Sequence, residues 1–123
     1  MNINLNFHQN TELFSKVANE WAAKIASAKP ETKTTQMRNF YDYVLKLQEK
    51  ANLKNESDFK AEILPFVKML NSKVAYANSR KVASNEFVEM INDCVSQVNT
   101  QKSLETFKLF FEAVLGFSKK QGE

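Results

Sequence analysis

Two glycines and two prolines in 123 residues leave this chain few ways to turn. Tight hairpins, β-sandwich corners and phosphate-cradling loops draw on both residues, whereas long helices exclude them. A length of 123 residues is that of one domain, with enough buried surface to fold without staples. Hydrophobic residues at 43% and charged residues at 25% are ordinary for a globular protein rather than a disordered one. The expectation is a single all-α domain, a compact bundle of about five helices over residues 1–123, with flexible ends at about 1–9 and 119–123.

The 3.6-residue period supplies the five stretches. The first runs from about Thr11 to Ala28, with an apolar stripe of Leu13, Phe14, Val17, Ala18, Trp21, Ala22 and Ile25, and Pro30 stops it. The second, with Thr34 as its N-cap, continues to about Asn52 and buries Met37, Phe40, Tyr41, Val44 and Leu47. Asn55 and Ser57 offer caps for a third, which Pro65 breaks or kinks. Beyond the proline its stripe is Phe66, Val67, Leu70, Val74 and Ala77, as far as Arg80. A fourth begins near Ser84 and buries Phe87, Met90, Ile91, Cys94, Val95 and Val98. The fifth is capped by Ser103 and carries Leu104, Phe107, Phe110, Phe111, Val114, Leu115 and Phe117. It is apolar around more than half its circumference, so it is either the central helix of the bundle or faces another subunit.

Several chemistries are poorly served by this composition. One cysteine, Cys94, cannot close an intramolecular disulfide, and its place on an apolar stripe reads as core. The one histidine, His8, lies outside the helical pattern, so neither a nucleophile triad nor a four-ligand zinc site can be assembled. Glu86, Glu89 and Asp93 share one helix face at i, i+3 and i+7, on the solvent side, where nothing desolvates one of them for acid–base work. They read as a solvated face or as an acidic strip docking a basic neighbour. The start Met1-Asn2-Ile3-Asn4-Leu5-Asn6 has neither the basic nor the apolar run of a signal peptide. The most apolar stretch, Leu109 to Phe117, is far short of a bilayer span. A cytoplasmic protein without catalytic residues, metal, cofactor or membrane contact is expected.

Charge is unevenly distributed. Residues 32–81 hold ten Lys/Arg against five Asp/Glu, and the remainder seven against nine. A basic middle in a chain of net charge +3 points to a polyanion-facing surface or to a solvated one. Met69, Ser72, Lys73, Tyr76 and Arg80 stand at i, i+3, i+4, i+7 and i+11, one continuous helical face. Lys73 and Arg80 are about 10 Å apart along the axis, so each can reach a phosphate with a tyrosine between them. Arg38 and Lys46 on the second helix, with Gln36 near its N-terminus, extend that chemistry. The competing reading has Tyr76 in the core and the cations merely solubilising.

Three segments resemble the small subunit of the type III-A CRISPR–Cas effector, the Csm complex. Thr34-Thr35-Gln36-Met37-Arg38-Asn39-Phe40 is similar to a family segment T-[TS]-S-Q-[IL]-R-K. Lys73-Val74-Ala75-Tyr76-Ala77-Asn78-Ser79-Arg80 resembles K-L-A-Y-A-A-G-R, and Phe111-Glu112-Ala113-Val114-Leu115-Gly116-Phe117 resembles a closing E-A-[IV]-V-A-Y. The likeness covers about residues 30–119. Asn39 stands where a lysine is usual, Ser79 where a glycine is usual, with Asn78 then expected at any left-handed position, and Phe117 where a tyrosine is usual. The resemblance implies a non-catalytic subunit present in several copies, lining the duplex of guide RNA and target RNA and touching its backbone. The residues expected to face RNA are Gln36, Arg38, Lys46, Lys68, Lys73, Tyr76, Arg80 and Lys81. Those expected at subunit interfaces, with other Csm subunits or copies of itself, are Glu86, Glu89, Asp93, Phe110 and Phe117. The alternatives are a small helical DNA-binding regulator and a purely structural helical oligomer.

Overall fold

A computed structural model of the chain describes residues 3–121, and among them there is no β-strand. The first helical stretch opens with a π-helical turn, Leu13–Val17, that passes into α1, Ala18–Ala26. Its buried residues Ala18, Trp21, Ala22 and Ile25 follow i, i+3, i+4, i+7, one stripe of a 3.6-residue helix. α2 spans Thr34–Ala51. Its cap falls on Lys33 rather than Thr34, because Lys33 is held extended by donating its N–H to the Val82 carbonyl at 3.1 Å.

The third stretch is divided into α3, Glu56–Glu62, α4, Leu64–Lys68, and α5, Leu70–Ser79. Asn55 caps α3 as expected, its side chain accepting from the Asp58 N–H at 2.8 Å. The expected break appears just ahead of Pro65, at Ile63, and Pro65 lies in the first turn of α4, where a missing N–H costs nothing. The interruption at Met69 leaves the buried stripe in phase, since Val67 ahead of it and Leu70, Val74 and Ala77 after it stay at helical spacing. Val67, Leu70, Val74 and Ala77 are buried as expected, whereas Phe66, on the flank of that stripe, is 48% exposed instead of buried.

α5 ends in a paired cap. The Val82 N–H reaches the Ala77 carbonyl at 3.1 Å and the Lys81 N–H reaches Asn78 at 2.9 Å, the two bonds of a Schellman motif. The left-handed residue of that motif is Lys81, at φ 64°, not Asn78. The Asn78 amide instead ties down the next loop, donating to the Ala83 carbonyl at 2.9 Å and to Asn85 Oδ1 at 3.0 Å. A side chain in left-handed backbone is strained relative to glycine. Lys81→Gly should stabilise the chain by about 0.5–1 kcal/mol, measured by urea unfolding. A loss of stability instead would show that the lysine side chain contributes more than its backbone strain costs.

α6 spans Asn85–Val95, and its N-cap is Ser84, whose Oγ accepts from the Phe87 N–H at 3.1 Å. α7 spans Gln101–Gln121. Thr100 rather than Ser103 is its cap: the Ser103 N–H donates to Thr100 Oγ1 at 3.1 Å, and Ser103 Oγ accepts in return from the Thr100 N–H at 2.9 Å. This reciprocal arrangement is a capping box with serine at its third helical position.

α7 is the central helix. It packs along α1 and α2 and buries Leu104, Phe107, Phe110, Phe111 and Val114 completely. Phe110 is thus a core residue and has no surface for a neighbouring subunit, which corrects the interface expectation there; Phe117 is half-buried against the core. Phe87 of α6 meets Phe40 of α2 and Phe111 of α7 edge-on, at centroid distances of 5.6 Å and 6.1 Å.

Residues 3–9 are not the free arm expected from their polarity. Ile3 and Leu5 are buried, and their backbone is held by side chains of the α6 end. Asp93 Oδ2 accepts from the Ile3 N–H at 2.6 Å, and Gln97 Oε1 from the Leu5 N–H at 2.9 Å. At the other end, Lys119 to Gln121 form the last residues of α7. Met1, Asn2, Gly122 and Glu123, parts of the two ends expected to be flexible, lie outside the described residues.

Candidate nucleic-acid interface

A cleft of about 240 Å³ opens between α2 and α5. Each helix lines it with the same register. Gln36, Asn39, Phe40 and Tyr43 come from α2, and Lys73, Tyr76, Ala77 and Arg80 from α5, at i, i+3, i+4 and i+7 in both cases. Phe40 and Ala77 are buried and form an apolar floor. Tyr76 is 65% exposed, which removes the reading that puts it in the core.

Cations and rings are paired in this cleft, once across it and once along the α5 wall. The Lys73 ammonium lies 5.1 Å from the centroid of Tyr43, and the Arg80 guanidinium 5.6 Å from that of Tyr76. Both distances are within cation–π range. Tyr43 is fixed by donating its hydroxyl to the Phe66 carbonyl at 2.9 Å, and burial raises its phenol pKa, so it stays a neutral ring. Among the described residues neither Lys73 nor Arg80 is in an ion pair, and no carboxylate lines the cleft. The site is a cationic, aromatic-walled slot fitted to an anion with a flat group attached.

Of the residues expected to face RNA, the cleft brings together Gln36, Lys73, Tyr76 and Arg80. Lys46 is exposed, three residues beyond Tyr43 on α2, and Lys81 is exposed one residue beyond Arg80; neither lines the cleft. Arg38 belongs elsewhere, to a shallow depression between α2 and α7 with Tyr41, Glu112, Leu115, Gly116 and Lys119. Lys68 lies on α4, outside the cleft. Its ammonium donates to the Val95 carbonyl at 3.0 Å, at the negative end of α6. Asn39, Phe40 and Tyr43 are members of the cleft that sequence reasoning missed; continuing the i, i+3, i+4, i+7 pattern from Gln36 would have found all three.

The acidic strip on α6 is divided. Glu89 and Asp93 line an open groove of about 540 Å³ with Asn85, Val88, Asn92 and Ser96, whereas Glu86 is half-buried outside it. Glu89 lies 3.7 Å from the Lys24 ammonium, and Asp93 holds the N-terminal segment. Asp93 is accordingly half-buried and bonded inside the chain, not a carboxylate free in water. Burial pushes the Cys94 thiol well above its ordinary pKa, which leaves it protonated and unreactive. Among the described residues no group of His, Cys, Asp and Glu side chains gathers where it could hold a metal ion, and no helix is long and apolar enough to cross a membrane.

No curated protein and no solved structure matches the chain. A family model does, over residues 8–123, a span that contains both walls of the cleft and the whole of α7. That model describes the small subunit suggested by the Gln36, Tyr76 and Phe111 segments: the chain belongs to the Csm2 Type III-A family, a small subunit of the type III-A Csm complex.

Proposed function

We propose that the chain is a non-catalytic small subunit that holds RNA inside the Csm effector, with the α2–α5 face against the sugar–phosphate backbone of the guide RNA–target RNA duplex. The observation that carries this reading is the cleft itself, in which Lys73 and Arg80 flank an exposed Tyr76 and no carboxylate competes for them. Phosphate contacts position a protein on a duplex without reading it, which suits a partner whose sequence is specified by base pairing. The excess of cations across residues 32–81 supports the same assignment. The chain works in the cytoplasm, beside other Csm subunits and further copies of itself. The acidic α6 groove is the side that meets a basic face of the next copy, a heterologous contact that repeats along the complex.

The test uses the assembled complex. Lys73→Ala or Arg80→Ala should each weaken target-RNA binding by roughly fivefold at about 0.15 M salt, and flatten the logarithmic salt dependence by about 0.7–0.9 for each phosphate left without its cation. The weakening should be the same for unrelated guide sequences. Unchanged affinity and slope in both variants would move the RNA-facing surface elsewhere. Glu89→Lys, in the α6 groove, should lower the number of copies in the same purified complex, and undiminished stoichiometry would refute that interface.

A further inference from the structure

The rim and the interior of the α2–α5 cleft call for different ligand chemistry. The rim cations are sufficient for phosphate, yet the cleft also offers an exposed Tyr76 ring, the Tyr43 ring, an apolar floor of Phe40 and Ala77, and two amides. Among the described residues neither the Gln36 nor the Asn39 side chain makes a hydrogen bond within the chain. Each amide presents two donors and an acceptor on a plane, the set that matches the edge of a nucleobase. The volume, about 240 Å³, is below the roughly 300–1,000 Å³ of sites for drug-sized molecules, so it admits one planar heterocycle and little more. The lack of a carboxylate removes any preference for a cationic ligand.

We infer that the cleft seats a single unstacked nucleobase of the bound RNA, against Tyr76 and between the Gln36 and Asn39 amides, while Lys73 and Arg80 hold its flanking phosphates. This rests on the reading that the α2–α5 face meets RNA, and adds to it that the chain grips RNA where one base is out of the helical stack. Arg80, already over the Tyr76 ring at 5.6 Å, keeps that ring beside the phosphate-binding cation. Stacking on a ring is tolerant of base identity, so the seat demands an unstacked base but not a particular one.

The experiment titrates the full chain with a short fluorescent single-stranded RNA, with the same strand made abasic throughout, and with the blunt duplex. The intact single strand should bind about tenfold or more tighter than the abasic strand and the duplex, within the range that one base–aromatic stack provides. Tyr76→Ala should erase that margin and leave the salt dependence in place, whereas Tyr76→Phe should keep the margin. Exposure of Tyr76 makes both variants folding-neutral, which thermal unfolding checks. If intact and abasic strands bind equally, and Lys73→Ala and Arg80→Ala weaken both, the base seat is overturned while the backbone reading stands. If neither cation change affects any RNA and Tyr76→Ala instead depletes the subunit from the purified complex, the cleft is a protein interface and both readings fall.

Discussion

Phe111→Ala should be the most damaging single substitution in the core, at about 3–5 kcal/mol. Phe111 is completely buried and its ring meets Tyr41 at 5.7 Å, Phe87 at 6.1 Å and Phe107 at 6.1 Å, so it joins α2, α6 and α7. Removing it forfeits the transfer free energy of the ring and leaves a cavity that three rigid helices cannot close. A domain of this size has only about 5–15 kcal/mol of stability in all, so the variant should be close to unfolding at physiological temperature. Urea unfolding should show a lower midpoint with an unchanged slope. Leu109→Ala, two positions away on the same helix but 37% exposed, is the matched control and should cost far less. Comparable losses in the two variants would mean that the four-ring cluster is not what joins the helices.

Ser84→Ala should cost about 2–3 kcal/mol, a large effect for the removal of one oxygen. Ser84 is completely buried, and its hydroxyl does two things at once. It accepts from the Phe87 N–H at the start of α6, and it accepts from Thr32 Oγ1 at 3.1 Å. Thr32 Oγ1 in turn accepts from the Ser84 N–H at 2.9 Å, closing a loop between the α1–α2 link and the α5–α6 turn. Loss of an N-cap alone costs about 1 kcal/mol, and a buried hydroxyl left without an acceptor adds roughly 1–3 kcal/mol. The Thr32→Val, Ser84→Ala double variant should cost less than the sum of its parts, since one orphaned group disappears with its partner. Additive losses would show that the two hydroxyls act separately. Ser57→Ala, on the exposed side of α3, should change stability within about 0.5 kcal/mol.

The helices and most of their buried stripes were legible in the sequence because burial repeats at the helical period, as Val74 and Ala77 or Met90, Ile91 and Cys94 illustrate. What periodicity cannot carry is how far around a helix its neighbours cover it. Phe66 fits the edge of the stripe on paper and is exposed in space, while its neighbour Val67 is buried. Nor does a cation's type reveal its partner. Lys68 and Lys73 are alike in sequence, but only Lys68 is within reach of the carbonyl end of α6. The candidate site was half legible: each wall is a run along one helix, but that the two runs face each other shows only once α2 is set alongside α5. The N-terminal segment was misread because its anchors, Asp93 and Gln97, are some ninety residues away in the chain.

The packing of α1 on α7 fixes the order in which this protein can be finished during synthesis. Trp21 and Ile25 emerge from the ribosome long before the helix that covers them, because α7 comes far later in the chain. Until then the nascent chain carries an open apolar trough, the kind of surface that chaperones engage and that aggregates when left alone. A message truncated before Gln101 therefore yields no smaller folded unit, only a substrate for proteolysis.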